Sequence, residues 1–278
     1  MLAGRSNVGK STLLNALVGT KVAIVTPKPQ TTRHPVRGIL HDPRGQIVFV
    51  DTPGVFLGKS DRLSRALNEF VRDTLSGVDA IVYVMDPTRE PGAEEMHIQN
   101  MLRATTLPVI AVLNKTDLPS SELRNVKIYE ATDVGQKETL HVSAKSHKNL
   151  NRLVDALFGV LVESDPHYPD LQLTDIGHNQ WLEELIREKI FLSLDQEIPY
   201  SIKVELDDLQ TRGDGSRFMH AIVWTTEERY KKMIIGKGAS MIKKISQDAR
   251  KELEQVTNGK IFLELEVKVD EKWQERFQ

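Results

Sequence analysis

The sequence predicts two domains: an α/β domain with a mostly parallel sheet and helices on both faces, then a smaller α+β domain. Two near-continuous apolar runs, 80–85 and 107–113, are typical of buried parallel strands and alternate with helix-like segments. A polar, proline-containing stretch precedes a second region in which the predicted elements follow the order α-β-β-α-α-β. We assign the domains to 1–164 and 179–278, joined by a linker at 165–178.

Composition places the chain among ordinary globular proteins and excludes several chemistries. Of its 278 residues, 40% are hydrophobic and 27% are charged. Cysteine is absent, which excludes disulfides, zinc–thiolate sites, iron–sulfur clusters and thiol nucleophiles. No apolar run approaches the roughly 18 residues that a membrane-spanning helix needs. Because the net charge is −2, any contact with nucleic acid must come from a local basic patch.

The chain opens with a phosphate-binding loop. Residues 4–11, GRSNVGKS, fit G-x-x-x-x-G-K-S/T and run into a helix-compatible stretch at 12–18. In such a loop the backbone N–H groups wrap the α and β phosphates, Lys10 reaches the β and γ phosphates, and Ser11 ligates Mg²⁺. Only three residues precede Gly4, so we expect a truncated first strand or a chain start that is not the natural one. The nucleotide-binding residues predicted here are Gly4, Arg5, Ser6, Asn7, Val8, Gly9, Lys10, Ser11 and Thr12.

Two further elements supply metal and γ-phosphate contacts. Asp51, Thr52, Pro53 and Gly54 follow the apolar run 47–50 as a D-x-x-G element. There Asp51 can hold Mg²⁺ through water, and the Gly54 N–H can face the γ phosphate. In the polar stretch 30–34, a threonine can supply a second hydroxyl to Mg²⁺, and Thr32 is favoured over Thr31. The predicted metal ligands are Ser11, Thr32 and Asp51, and the predicted catalytic residues are Lys10, Thr32 and Gly54.

A base-recognition motif follows the second apolar run. The carboxylate of Asp117 can accept the N1 and N2 hydrogens of guanine, whereas adenine would leave it unpaired. This selects guanine over adenine nucleotides. A backbone N–H in the Ser143 to Lys145 stretch would meet the guanine O6. The predicted base-binding residues are Asn114, Lys115, Asp117, Ser143, Ala144 and Lys145.

These elements, with KPQTTR at 28–33, resemble the Era branch of the translation-factor-related GTPases. The resemblance implies slow, Mg²⁺-dependent GTP hydrolysis, because Val55 stands where Ras-like enzymes place a water-orienting glutamine. Similar proteins use an asparagine at the position of Asn7 to hold K⁺ at the phosphates. The alternative is that Asn7 only shapes the loop, and both interpretations stay open.

The second region resembles a type II KH domain, a fold that binds single-stranded RNA. Residues 229–251 include eight basic residues and one acidic residue, which gives this stretch a net charge of +7. Ala239 stands where the family usually has the second glycine of the turn, and it allows close backbone approach if its φ is negative. The predicted RNA-binding residues are Arg229, Lys232, Ile235, Gly236, Lys237, Gly238, Ala239, Lys243 and Lys244.

The resemblance covers essentially the whole chain and implies a GTP-hydrolysing switch that binds the 3′ region of small-subunit ribosomal RNA and assists small-subunit assembly. The alternative is a GTP-occupied RNA-binding module with negligible turnover. The implied ligands and partners are GTP, GDP, Mg²⁺, this RNA and the small ribosomal subunit, with K⁺ and peripheral membrane association left open. We expect a monomer in a bacterial-type cytoplasm, with an organellar origin and a removed transit peptide as the other option.

Overall fold

The computed structural model describes residues 1–29, 31–33, 35–54, 77–194 and 198–273, without the side chains of residues 199 and 200. It divides into two compact units, Met1–Asp175 and Ile176–Gln278. The division falls inside the predicted linker at 165–178. Each unit has its own sheet and helices, and each is described by itself.

The described part of the first unit contains a mostly parallel sheet with strand order β2-β3-β1-β4-β5-β6. Only β2 and β3 pair in antiparallel fashion within it. As the apolar runs predict, β4 and β5 are buried at every position. The strands are β1 (Leu2–Ala3), β2 (Val36–Asp42), β3 (Gly45–Asp51), β4 (Ile81–Met85), β5 (Val109–Leu113) and β6 (Thr139–His141).

Helices cover both faces of this sheet, because alternate residues of the buried strands serve different cores. The helices are α1 (Lys10–Val18), α2 (Ala93–Arg103), α3 (Val126–Glu130) and α4 (Leu150–Phe158). One core contains Val82 and Val84 of β4 with apolar residues of α1 and α4. The other contains Ile81 and Tyr83 of the same strand with residues of α2 and α3. The predicted α/β class is therefore confirmed.

The central strand β1 is two residues long. Leu2 pairs with both β3 and β4, and the backbone nitrogen of Met1 donates to the carbonyl of Ala80 at 3.0 Å. Gly4 therefore starts at the carboxyl edge of the sheet, where open α/β sheets bind their ligands.

The outer edge of β2 is covered by residues of the predicted linker. The backbone N–H of Ile39 donates to the Leu173 carbonyl at 2.9 Å, and Arg37 forms an ion pair with Asp175 at 2.7 Å. Covering an edge strand satisfies backbone groups that would otherwise invite pairing with another chain. The segment up to residue 175 thus belongs to the first unit.

In the second unit, α5 (His178–Ser193), β7 (Ile202–Thr211), β8 (Arg217–Thr225), α6 (Glu228–Ile235), α7 (Ser240–Thr257) and β9 (Ile261–Val269) follow the predicted order. The sheet order is β7-β8-β9, with β7 antiparallel and β9 parallel to β8. Strand β7 starts at Ile202, directly after a 3₁₀ turn at Ile198–Ser201. Within the described ranges, no helix combines the length and the apolar character needed to cross a membrane.

Candidate nucleotide site and nucleic-acid interface

A cleft of about 500 Å³ lies beside the phosphate loop. Its walls include Lys10, Ser11, Thr32, Gly54 and Arg89. The cleft thus brings together the three residues predicted as catalytic and two of the three predicted as metal ligands. It has the size and mixed polarity of a small-ligand site.

The backbone of the phosphate loop is shaped to surround an anion and leads directly into α1. Gly9 takes a φ of +99° directly before α1 starts at Lys10, a conformation that favours glycine. A Cβ at Gly9 would lie only 2.3 Å from Nδ2 of Asn114. The N-terminal N–H groups of α1 can therefore meet an anion at close range.

Lys10 is buried and turned onto the loop itself. Its Nζ donates to the carbonyls of Gly4 at 3.1 Å and Arg5 at 2.9 Å. Burial lowers the pKa of Lys10 to about 8, although the nearby charge of Asp51 partly opposes the shift. A bound phosphate would supply a negative charge beside this buried ammonium group.

The three predicted metal ligands lie together. Ser11 Oγ donates to Asp51 Oδ2 at 2.5 Å, and Thr32 Oγ1 lies 3.1 Å from Ser11 Oγ and 3.3 Å from Asp51 Oδ2. The hydroxyl of Thr31 instead donates to the Lys28 carbonyl at 2.7 Å. Two other residues discussed for this region of the site, Gln30 and Val55, lie outside the described residues, as does His34.

Asp51 shows that this oxygen cluster fits a hard cation. Its side chain is fully buried, and among the described residues its Oδ1 has no hydrogen-bond partner. Burial raises the pKa of Asp51, while the charge of Lys10 opposes the rise. A carboxylate with an unused oxygen beside two hydroxyls is the donor set that Mg²⁺ prefers. The residues present therefore fit the metal that the fold implies.

The base-recognition residues form a second cluster beside the loop. The side chain of Asn114 donates to the Val8 carbonyl at 3.0 Å and accepts from the Ala144 N–H at 3.0 Å. Asp117 is exposed, and its Oδ1 accepts a hydrogen bond from Ser143 at 2.6 Å. Ser143 is buried and so fixes the carboxylate, whose other oxygen stays accessible to a base. Lys145 is exposed next to this pair.

Two predicted residues contribute only their backbones to the site. The guanidinium of Arg5 turns into the core, where its Nε lies 2.6 Å from Glu95 and its Nη2 donates to Tyr129 at 2.9 Å. The hydroxyl of Thr52 donates to the Leu2 carbonyl at 2.9 Å. Both side chains therefore attach the loop and the end of β3 to the core, and the backbone groups of Arg5 and Thr52 remain for the predicted nucleotide contacts.

Sequence reasoning missed the polar segment that follows β4. The carboxylate of Asp86 is buried and accepts from Lys115 Nζ at 2.6 Å, and the same Nζ donates to the Asn7 carbonyl at 3.1 Å. Burial would raise the pKa of Asp86, but the hydrogen bonds from Lys115 and Thr88 outweigh it and hold the pKa below its usual value. The position of this segment in the sequence could have indicated its place near the site. Polar residues at the carboxyl end of a central parallel strand lie at the edge of the sheet where ligands bind.

In the second unit, the turn 236–239 connects α6 and α7 with three residues of positive φ. Gly236 has a φ of +73°, Gly238 of +59° and Ala239 of +62°. The condition of a negative φ at Ala239 is therefore not met. The turn places this residue in the left-handed region, which destabilises a non-glycine residue by roughly 1–2 kcal/mol.

Exposed basic side chains surround this turn. Lys232, Lys237, Lys243, Lys244 and Arg229 are all exposed, while Ile235 is half-buried. The preceding residue, Ile234, is fully buried in the core of the unit. Arg229 is paired with Glu227 at 2.7 Å. The lysines thus carry most of the positive charge available to a phosphate backbone.

These features define the class: a P-loop GTPase domain followed by a KH fold. Residues 1–115 match the family model described as a 50S ribosome-binding GTPase, and residues 197–274 match the KH domain model.

The chain is 42% identical over 277 residues to the GTPase Era of Heliobacterium modesticaldum, which covers 99% of this chain and 92% of the relative. It is 39% identical to the GTPase Era of Thermoanaerobacter sp. (strain X514), with 99% and 91% covered. The chain therefore belongs to the Era family of GTPases.

Two solved structures agree with this assignment, each at 33% identity with 99% of this chain and 94% of the other covered. One is a variant of Aquifex aeolicus Era bound to GDP and AlF4⁻, with a TM-score of 0.91. The other is Era in complex with MgGDPNP and nucleotides 1506–1542 of 16S ribosomal RNA, with a TM-score of 0.90.

The low pKa of Lys10 predicts that nucleotide binding takes up protons. In the ligand-free chain Lys10 loses its proton above about pH 8, whereas a bound phosphate keeps it charged, so affinity for GDP falls as the pH rises further. From this group we expect substantially more proton uptake at pH 8.5 than at pH 7. Calorimetry in two buffers of different ionisation enthalpy measures this, and uptake that is equal at both pH values would contradict it.

The conformation of Ala239 predicts that Ala239→Gly does not destabilise the second unit. Loss of left-handed strain outweighs the added freedom of the unfolded chain, so the free energy of unfolding rises by up to about 1 kcal/mol. The matched control is Ala249→Gly, in the buried interior of α7, where we expect a loss of at least about 1 kcal/mol. Urea denaturation followed by tryptophan fluorescence reports this unit alone, since Trp181, Trp224 and Trp273 all lie in it. Equal losses in both variants would refute the assignment of strain.

Proposed function

We propose that this chain is a GTP-driven switch that binds the 3′ region of small-subunit ribosomal RNA and assists assembly of the small ribosomal subunit. The observation that carries the proposal is the basic turn 236–239 in the same chain as a cleft lined by phosphate-loop residues and Thr32. The similar Era structure in complex with 16S ribosomal RNA supports it. We also propose a bacterial-type cytoplasmic location.

Catalysis in this proposal rests on position and charge. Ser11, Thr32 and Asp51 would hold Mg²⁺, which supplies positive charge at the β and γ phosphates when bound. Lys10 adds a buried positive charge, which acts strongly in a site that excludes water. Gly54 brings its backbone N–H to the γ-phosphate side, and only glycine fits there, because a Cβ would lie 2.7 Å from the Ser6 nitrogen. Turnover is slow in this proposal because Val55 stands in the sequence where Ras-like enzymes place a water-orienting glutamine.

The switch follows from which residues meet the γ phosphate. Thr32 lies in a polar segment that leads directly into β2, and Gly54 lies just after β3. Both residues would lose a contact when GTP becomes GDP, while the contacts of Asn114 and Asp117 with the base would stay. The segments around Thr32 and Gly54 therefore carry the difference between the two nucleotide states.

Asn7 joins the phosphate loop to the segment before Thr32. Its Nδ2 donates to the Pro27 carbonyl at 2.5 Å, and its φ is +66°. This contact places two oxygen atoms, the side-chain oxygen of Asn7 and the Pro27 carbonyl, near the cleft. Such hard oxygens suit K⁺, which supports the interpretation that Asn7 helps to hold this ion at the phosphates.

The cation role of Asn7 predicts K⁺-dependent turnover. We expect multiple-turnover hydrolysis of GTP to run at least about tenfold faster in K⁺ than in Na⁺, equivalent to about 1.4 kcal/mol in the barrier. The Asn7→Ala variant should remove most of this difference while still binding GDP. Equal rates in the two salts would leave Asn7 with a role only in loop shape. Absence of hydrolysis in both salts would favour the alternative, an RNA-binding module occupied by GTP.

The exposed lysines predict where RNA binds. Lys237→Glu combined with Lys243→Glu should weaken binding of a single-stranded RNA roughly tenfold or more, because two phosphate contacts are lost. The slope of log affinity against log salt should fall by about 1.4, from 0.7 per contact. GTP binding should not change. Filter binding across a salt series measures both quantities.

The matched control is Lys203→Glu combined with Lys268→Glu. It makes the same charge change in the same unit, at lysines paired with Glu205 at 3.2 Å and Glu266 at 2.8 Å on the sheet. We expect a much smaller effect on RNA affinity, since these charges are already neutralised. If both double variants weaken binding alike, the interface does not lie at the turn.

A further inference from the structure

The segment after β4 contacts three successive residues of the phosphate loop. Arg89 Nη2 donates to the Ser6 carbonyl at 2.8 Å. Arg5 reaches the Glu90 carbonyl at 3.0 Å, and the Asn7 carbonyl is held through the lysine that Asp86 orients. The middle of the phosphate loop is thus supported by a chain segment that lies outside the phosphate-loop motif.

One buried carboxylate organises this contact. Asp86 Oδ2 lies 2.6 Å from Lys115 Nζ and 3.5 Å from Arg89 Nε, while its Oδ1 accepts from the Thr88 N–H at 3.0 Å. The Asp86 side chain is 1% exposed and that of Arg89 is 46% exposed. Asp86 therefore orients two cations, one of which holds the Ser6 carbonyl and the other the Asn7 carbonyl. A charged donor also makes each of these hydrogen bonds stronger than a neutral one.

Ser6 is packed between this arginine and Gly54. The space for a Cβ at Gly54 is filled by the Ser6 nitrogen at 2.7 Å and its Cα at 2.8 Å. A small displacement of Ser6 would therefore move Gly54 or open a gap beside it. The position of the Gly54 N–H depends on where the Ser6 backbone is held, because close-packed groups transmit small shifts.

We propose that Arg89, oriented by Asp86, is a positioning residue for recognition of the γ phosphate. It holds the Ser6 carbonyl, and through Ser6 it fixes the backbone of Gly54 at the γ-phosphate side of the cleft. The inference deepens the proposed function and rests on its assignment of Gly54 to the γ phosphate. Because GDP lacks that phosphate, Arg89 discriminates between GTP and GDP rather than strengthening both.

The test compares nucleotide affinities of Arg89→Ala and Arg89→Lys with those of Arg124→Ala. Arg124 is an exposed arginine of the same unit, whose Nε donates to the Ser121 carbonyl at 3.0 Å. For Arg89→Ala we expect the affinity for GDPNP to fall at least about fivefold, with the affinity for GDP within about twofold of the parent chain. The rate constant kcat should fall by a similar factor.

Arg89→Lys should recover part of the lost affinity, since an ammonium group can reach Ser6 or Asp86 but lacks the fork that joins both. Arg124→Ala should match the parent chain. Equal losses for GDP and GDPNP, or no loss for either, would overturn the proposal. Circular dichroism on each variant confirms that the fold is kept.

The affinity ratio also separates this inference from the proposed function. If the parent chain fails to hydrolyse GTP or to bind RNA, the proposed switch function fails, but the GDPNP to GDP ratio of the Arg89 variants still decides the role of Arg89. If Arg89→Ala lowers the affinities for GDP and GDPNP by the same factor, Arg89 supports the loop for either nucleotide. In that case this inference fails while the proposed function stands.

Discussion

The nucleotide site depends on two opposite charges that the fold buries at one edge of a sheet. Asp51 ends β3 and Lys10 begins α1, and neither is exposed to water. Each lowers the free energy of the charged form of the other, but burial acts against both, which is why the pKa of Lys10 falls and that of Asp51 rises. Without ligands, the buried charges of Lys10 and Asp51 are therefore not fully compensated. Phosphates on one side and a divalent cation on the other would complete it.

Such a site needs rigid support, because unsatisfied buried charges could otherwise be relieved by movement of the loop. The support comes from buried ion pairs behind the loop. Arg5 and Glu95 form one pair deep in the core, with the hydroxyl groups of Tyr83 and Tyr129 also bonded to the Glu95 carboxylate. The Tyr83 pKa rises through burial and the neighbouring carboxylate, so this hydroxyl stays protonated as a donor. The loop is thus attached by its side chains on one face and offers its backbone on the other.

The sequence predicted the parts of this molecule that local patterns determine. Buried parallel strands are continuous apolar runs, so β4 and β5 could be placed within two residues, and the phosphate-loop and base motifs marked the ends of β1 and β5. It could not predict that the Arg5 side chain leaves the site, because that depends on Glu95, 90 residues further along the chain. The position of Asp86 directly after β4 was a signal for a place near the site, but the specific role of Asp86 and Arg89 could not be predicted for the same reason. Their role exists only through contacts with Ser6 and Lys115.

The turn 236–239 shows a different limit. An alanine normally avoids positive φ, so residue-by-residue reasoning had no basis for predicting the left-handed conformation of Ala239. The observed backbone follows from its neighbours: the Ala239 N–H donates to the Gly236 carbonyl at 3.1 Å, and α7 begins at the next residue. The start of α7 and the tight turn together determine the φ of Ala239, against the ordinary preference of alanine for negative φ. A strained residue is kept where surrounding structure determines its φ, and such positions often serve contact with a ligand.

The two units therefore use charge in opposite ways. The nucleotide site holds its critical charges buried, where added salt screens them little, whereas the lysines around the turn are exposed and sit within reach of the ions in solution. A change of ionic strength acts mainly on contacts of the second unit with a polyanion and leaves the nucleotide site nearly unaffected. Occupancy of the nucleotide site is instead controlled by which phosphates are present.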